Sequence, residues 1–148
     1  MRLSFGRVSQ QAVIINRKSE ANLKIVLVDD SQIVRERVFN LVSEVPGVEV
    51  VAEAGNSIEA IECVRKLQPD VVILDIKMPG DTGIEVLRKL KISYPSLKII
   101  MLTNYPLPQY KAKCLEYGAE FFLNKSDEFE KITDILMNLN DGGPNEIM

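Results

Sequence analysis

The chain has 148 residues, which at ~150 residues per domain predicts a single domain. Hydrophobic residues make up 46% and the net charge is only −3, so we expect a globular core and no direct contact with nucleic acid or with an acidic membrane surface. The sequence contains no histidine, which excludes Ser-His-Asp and Cys-His catalysis and histidine metal sites within this chain.

The first 22 residues differ from the rest. They carry four basic side chains, one acidic side chain and a single short apolar run, Ala12 to Ile15. We interpret 1–22 as an N-terminal extension. A poorly ordered terminus or an upstream translation start explains it better than a surface-binding or targeting segment.

From Leu23 onward, short β-branched runs alternate with segments of helical periodicity. Strands are predicted at 24–30, 48–54, 70–75, 98–102 and 119–124. Five helices are predicted between and after these strands. Apolar spacing predicts the first, from Val34 to Val45, and the last, from Phe129 to Leu139. Capping boxes at Asn56–Glu59 and Thr82–Glu85 predict the starts of the second and third, and the fourth is predicted over 108–117. The alternation predicts an α/β fold, a doubly wound parallel sheet with helices on both faces.

Polar side chains stand at the ends of four of these strands. Asp29 and Asp30 end the first, Asp75 ends the third, Thr103 follows the fourth and Lys125 follows the fifth. In a parallel sheet these ends meet at one edge, where sites form. Three converging carboxylates repel one another unless a cation neutralises them, and their oxygen ligands favour Mg²⁺. With a hydroxyl and an ammonium opposite, the set indicates a phosphoryl pocket in which Asp75 attacks phosphorus.

Each residue also has a purely structural explanation. Asp30 alone is explained as the cap of the following helix, Asp75 as the start of a turn, and Thr103 as a partner of its own backbone. Lys125 alone is explained as a solvated charge. The joint placement at four strand ends favours the site over these readings.

These residues stand in the segments LVDDS, LDIKMPGDTGIE, MLTN and FFLNK. With these segments the chain resembles the receiver domain of two-component response regulators. The resemblance covers residues 23–140 and leaves 141–148 as a C-terminal tail. The resemblance implies a five-stranded parallel sheet of flavodoxin-like order 2-1-3-4-5. It also implies that Asp75 takes a phosphoryl group from a phosphohistidine on a histidine kinase or phosphotransfer protein.

The resemblance further implies the ligands of the cation. Asp30 and Asp75 would bind Mg²⁺ directly, Asp29 through water, and the backbone carbonyl of Lys77 would complete the set. Thr103 and Lys125 would contact the phosphoryl oxygens.

Phe122 matches the switch aromatic of the family. A phosphoryl group at Asp75 would draw the Thr103 hydroxyl toward it, so that a ring at Phe122 rotates and the surface of helix four, strand five and helix five changes. Without the resemblance, an ordinary strand aromatic is the better explanation of Phe122.

Several positions depart from the usual family pattern. Asn104 stands where a small residue often follows the threonine, and Ser126 stands where a proline, commonly with a cis peptide, often follows the lysine. A cis Lys–Ser bond would cost ~3 kcal/mol, so we expect a differently built loop. Tyr105, Leu107 and Tyr110 form either a partner-binding patch or a partly buried contact with the sheet.

The leading functional prediction is a phosphorylation-activated switch that accepts and slowly loses its own phosphoryl group and is otherwise no enzyme. We expect it to be cytoplasmic, a monomer or weak homodimer, and to act through an unidentified output protein. Cys63 and Cys114 are predicted to be buried thiols.

Two other functions are considered. A DNA-binding transcription regulator is the alternative if the native chain is longer, and a phosphate-independent interaction domain is another. A phosphatase of the haloacid dehalogenase kind needs an aspartate two positions after its nucleophile, where this chain has Ser31 and Lys77.

Overall fold

A computed structural model describes residues 13–14 and 23–140. In this part of the chain the strands are β1 (Val13–Ile14), β2 (Leu23–Val28), β3 (Val48–Ala54), β4 (Val71–Leu74), β5 (Lys98–Thr103) and β6 (Phe121–Asn124). The helices are α1 (Gln32–Ser43), α2 (Ser57–Leu67), α3 (Gly83–Ser93), α4 (Pro108–Glu116) and α5 (Lys131–Asn140). Among the described residues, no helix combines the length and the apolar character needed to cross a membrane.

The strands form one sheet in the order β1-β3-β2-β4-β5-β6. The five strands from β2 to β6 pair in parallel in the order β3-β2-β4-β5-β6. When β2 is counted as the first strand, this is the predicted order 2-1-3-4-5, which is confirmed. Parallel pairing brings the carboxyl ends of these strands to one edge of the sheet, where the polar residues singled out above are located.

The edge strand β1 was not predicted. Val13 and Ile14 pair in antiparallel register with Glu53 and Ala52 of β3, which places two residues of the presumed extension in the sheet. The remaining residues of the extension and the 141–148 tail lie outside the described residues. The division into extension, receiver domain and tail therefore stays a prediction.

The core lies on both faces of the sheet, and the central strand β4 is apolar at every position. Val72 and Leu74 of β4 pack toward α2, α3 and α4, whereas Val71 and Ile73 pack toward α1 and α5. All four side chains are buried. This confirms the interpretation of an apolar run without alternation as a strand covered on both faces.

Both predicted capping boxes begin helices. The Asn56 side chain accepts a hydrogen bond from the Glu59 N–H, and the Thr82 hydroxyl accepts one from the Glu85 N–H. The N-cap of α1 is Ser31, so Asp30 does not have the capping role that would have explained it structurally. Both carboxylates of the Asp29–Asp30 pair thus stand ahead of the helix, at the sheet edge.

Candidate functional site

Three carboxylates meet at the carboxyl edge of the sheet. Asp29 and Asp30 follow β2, and Asp75 follows β4, the neighbouring strand. An oxygen from each of the three lies within 4.8 Å of the others. Asp29 and Asp75 are buried, each 5% exposed, whereas Asp30 is exposed. The edge is therefore strongly electronegative and open to solvent on the Asp30 side.

Lys125 enters this cluster from the end of β6. Its Nζ lies 2.6 Å from Asp29 Oδ2 and 3.1 Å from Asp75 Oδ2, and the residue is only 7% exposed. The explanation of Lys125 as a solvated charge is therefore wrong. One ammonium bridges two of the three carboxylates, so the cluster keeps an excess of negative charge.

The electrostatics of Asp75 and Lys125 follow from this burial. Burial, followed by the charge of Asp29, raises the pKa of Asp75 above its ordinary value, and Lys125 offsets only part of that rise. Burial alone would lower the pKa of Lys125, but its contacts with Asp29 and Asp75 outweigh burial and raise that pKa. A basic carboxylate beside a firmly protonated ammonium is an arrangement suited to nucleophilic attack on a phosphoryl group.

The carboxylates are oriented by backbone N–H groups. Ser31 N–H donates to Asp29 Oδ1 at 2.9 Å, and Ile76 N–H donates to Asp75 Oδ1 at 2.7 Å. Both oxygens of Asp29 therefore have partners, since Lys125 contacts the other one. An all-oxygen donor set with an excess of negative charge fits a hard divalent cation such as Mg²⁺.

Thr103 lies beside the cluster at the end of β5 and is fully buried. Its carbonyl accepts the Lys125 N–H at 2.8 Å, which ties the two strand ends together. Its hydroxyl oxygen accepts the Tyr105 N–H at 2.9 Å, so its described hydrogen bond is with the local backbone and not with Asp75. The hydroxyl hydrogen remains available to donate.

Phe122 is half-buried on the helix face formed by α2, α3 and α4 and stands opposite Met101 of β5. In the following turn, the Asn124 side chain accepts the Ser126 N–H at 2.9 Å. No peptide bond among the described residues is cis, as expected with serine at position 126. An asparagine turn therefore occupies the place where the family commonly has a cis-proline.

The rim of the site carries exposed apolar and charged groups. Tyr105 and Leu107 are exposed, whereas Tyr110 packs against the core. Partial burial therefore holds for Tyr110, and partner binding by the two exposed residues stays a prediction. Lys77, two residues after Asp75, places its Nζ 4.9 Å from the centre of the Tyr105 ring. The loops after β4 and β5 thus meet across the mouth of the site.

The sequence patterns missed three residues that shape this edge. The N–H of Gly83, the first residue of α3, donates to the Ile76 carbonyl at 2.6 Å, and a Cβ there would overlap the carbonyl of Asp75. The Ser57 hydroxyl accepts the Asp81 N–H at 2.9 Å and holds the loop after β4. Arg35 of α1 donates to the Asp29 carbonyl. A glycine after a turn motif is a recognisable signal for close approach, but no sequence pattern indicates the contacts of Ser57 and Arg35.

The chain matches a known protein family. The profile of the response regulator receiver domain matches residues 25–137. A curated relative, the transcriptional regulatory protein LnrK of Bacillus subtilis (strain 168), is 36% identical over 121 residues, which cover 82% of this chain and 55% of that protein. The chain thus spans about half the length of the curated relatives it matches.

Solved structures show the same architecture. A two-component response regulator of the LuxR family from Aurantimonas sp. SI85-9A1 has a TM-score of 0.75 and 32% identity, covering 82% of this chain and 86% of that one. The isolated receiver domain of RcsB from Salmonella enterica serovar Typhimurium, determined with the phosphomimetic BeF3⁻, has a TM-score of 0.77 and 30% identity, covering 82% and 91%.

Proposed function

The chain belongs to the response regulator receiver family of two-component signalling proteins, and on that premise we propose that it is a phosphorylation-controlled switch whose phosphoacceptor is Asp75. The observation that carries the proposal is the approach of the Asp29, Asp30 and Asp75 oxygens to within 4.8 Å of one another, with Lys125 bridging two of them. This combination would be hard to maintain for a purely structural purpose, because buried like charges destabilise a fold.

In the proposed reaction, a carboxylate oxygen of Asp75 forms a bond to phosphorus while the phosphorus–nitrogen bond of a partner's phosphohistidine breaks. The electron pair of that bond returns to the imidazole nitrogen, and the product is an acyl phosphate. The raised pKa of Asp75 makes the carboxylate a better nucleophile. The Lys125 ammonium, 3.1 Å from Asp75 Oδ2, is in position to pair with a phosphoryl oxygen.

We assign the cation site to Asp30 and Asp75 as direct ligands, with the Lys77 carbonyl and with Asp29 acting through water. The division into direct and water-mediated ligands follows the resemblance to the family, since both oxygens of Asp29 and both oxygens of Asp75 already have partners. The exposed Asp30 is accessible to an entering ion. When bound, Mg²⁺ would supply positive charge that offsets the charge developing on the phosphoryl oxygens.

Thr103 and Phe122 are the proposed switch. The Thr103 hydroxyl has a hydrogen to donate to a phosphoryl oxygen, and moving toward Asp75 would break its bond with the Tyr105 N–H. That movement would alter the loop before α4 and the space beside the half-buried Phe122 ring. The surface formed by α4, β6 and α5 would then change shape and select an output partner by its different contacts in the two states.

Two candidates exist for the output on which the phosphorylated switch would act. In both, we propose that a histidine kinase or phosphotransfer protein supplies the phosphoryl group, as in other members of the receiver family. In the first candidate, the output is a separate protein that binds the switch surface. The second is the receiver part of a DNA-binding transcription regulator, which is favoured by the relation to a transcriptional regulatory protein about twice as long as the matched segment.

The test uses acetyl phosphate as the phosphodonor in the presence of Mg²⁺, with intact mass as the readout. We expect one phosphoryl adduct on the wild type and none on Asp75→Ala. Asp81→Ala is the matched control, because Asp81 lies in the same loop and is an exposed carboxylate paired with Lys89. An adduct that persists in Asp75→Ala would contradict the assignment. If neither acetyl phosphate nor a phosphohistidine donor gives an adduct, the phosphate-independent interaction domain is the better reading.

A further inference from the structure

Arg35 of α1 joins two parts of the molecule that are distant in sequence. Its Nε lies 3.1 Å from Glu53 Oε1 on β3, and its Nη1 donates to the backbone carbonyl of Asp29. The Arg35 side chain is 18% exposed and that of Glu53 only 4% exposed. The guanidinium is therefore a half-buried bridge between the penultimate residue of β3 and the first residue of the acidic cluster.

The carbonyl that Arg35 contacts belongs to the peptide bond between Asp29 and Asp30. Because a peptide unit is planar, fixing this carbonyl also fixes the plane from which the Asp30 backbone continues. The Asp29 N–H is held at 3.0 Å from the Ala54 carbonyl, so Arg35 supplies the second anchor of the same residue. The relative placement of the two carboxylates then depends on this anchor, because the chain has already left the sheet ladder at Val28.

The charge of Arg35 argues against a role in attracting a cation. A guanidinium this close to the cluster opposes the binding of Mg²⁺ by Coulomb repulsion. Its pairing with the buried Glu53 carboxylate reduces that repulsion while leaving the guanidinium able to donate to the carbonyl. The rigid, forked geometry of arginine allows both contacts at once, which a lysine ammonium on a flexible stem does not reproduce.

We propose that Arg35 is a positioning residue of the site, holding the Asp29–Asp30 peptide in the geometry needed for the cation. The proposal deepens the proposed function and rests on it for the identity of the ion. Residues that orient metal ligands from outside the ligand set typically change affinity by about 10–100-fold when removed. We therefore expect the dissociation constant for Mg²⁺ to rise about tenfold in Arg35→Met.

The experiment measures Mg²⁺ affinity by NMR titration of the full chain for the wild type, Arg35→Met and Arg35→Lys. Arg65→Met is the matched control, because Arg65 also pairs with a glutamate, Glu62, but on the exposed face of α2. We expect weaker binding in both Arg35 variants and unchanged binding in Arg65→Met. If the Arg35 side chain acted only through its charge, Arg35→Met would bind Mg²⁺ more tightly, and equal or tighter binding would overturn the proposal. If Arg35→Met does not fold, wild-type affinity in Arg35→Lys would overturn it.

A second readout needs no metal. The Ser31 N–H donates to Asp29 Oδ1, so its hydrogen exchange in the metal-free protein reports the local geometry. We expect faster exchange at Asp29 and Ser31 in Arg35→Met, with unchanged exchange at Ile100 in the centre of β5; unchanged exchange at Asp29 and Ser31 would overturn the proposal. If the wild type itself does not bind Mg²⁺, the proposed function has failed, and this measurement still decides whether Arg35 positions Asp29.

Discussion

Replacing Lys125 by methionine removes the ammonium that bridges two buried carboxylates. At an effective dielectric constant of about 20, Coulomb's law gives gross attractions of ~6 kcal/mol for the 2.6 Å contact with Asp29 and ~5 kcal/mol for the 3.1 Å contact with Asp75. The cost of desolvating Lys125 offsets much of this. Removing one partner from a buried ion pair costs about 3–5 kcal/mol in measured cases, because the remaining charge stays buried and uncompensated. We expect Lys125→Met to lower the free energy of unfolding of the metal-free protein by about 3 kcal/mol.

The assay is urea unfolding of the metal-free protein, with Lys89→Met as the matched control. Lys89 lies 2.7 Å from Asp81, almost the distance of the Lys125–Asp29 contact, but both side chains of this pair are 46% exposed. Exposed pairs contribute about 0–1 kcal/mol, so the two lysines separate the effect of burial from that of distance. Equal losses of stability in Lys125→Met and Lys89→Met would refute the reasoning.

Lys125→Met should also change the affinity of the protein for Mg²⁺. Without the Lys125 ammonium, the Asp29 and Asp75 carboxylates need another cation, so Mg²⁺ should bind more tightly and raise the midpoint of unfolding more than it does in the wild type. Equal Mg²⁺-induced shifts in the two proteins would contradict the placement of the ion beside Lys125.

Three further predictions follow from the packing and burial of other groups. Asp75→Asn should stabilise the metal-free protein at neutral pH, because burial and the charge of Asp29 disfavour a carboxylate at this position. Because the pKa of Asp75 is raised above the ordinary 3.8, the gain in free energy of unfolding over the wild type should shrink as the pH falls and vanish below that ordinary value. Urea unfolding of both proteins at a series of pH values from acid to neutral measures this difference. Cys63 and Cys114 should react with Ellman's reagent at pH 8 only after unfolding, since burial raises their pKa values to about 12 and about 11; rapid labelling of the native protein would contradict this. Gly83→Ala should lower the free energy of unfolding by about 3 kcal/mol in thermal or urea unfolding, because its Cβ would overlap the Asp75 carbonyl, and wild-type stability would count against that contact.

The fold was largely predictable because its signals are local. The strand over 70–75 is apolar throughout, and the capping boxes at Asn56 and Thr82 mark helix starts that the structure reproduces. Strand β1 was not predictable, since its two residues depend on pairing with a distant edge and two apolar residues carry no periodicity.

The site was predictable to the level of residue types but not of contacts. Asp29, Asp75 and Lys125 were found because parallel strands bring their carboxyl ends together, which is a rule of topology. The hydrogen bond of the Thr103 hydroxyl with Tyr105, and the reach of Arg35 to the Asp29 carbonyl, depend on side-chain rotamers set by tertiary packing. Sequence spacing contains no information about these rotamers.

The central claim is that Asp75 forms the acyl phosphate, and locating the phosphoryl group tests it most directly. The protein is phosphorylated in the presence of Mg²⁺, the acyl phosphate is trapped by reduction with borohydride, which converts a phosphorylated aspartate to homoserine, and peptides are sequenced by mass spectrometry. We expect homoserine at position 75 and unmodified aspartate at positions 29 and 30. Homoserine at position 29 or 30, with Asp75 intact, would contradict it.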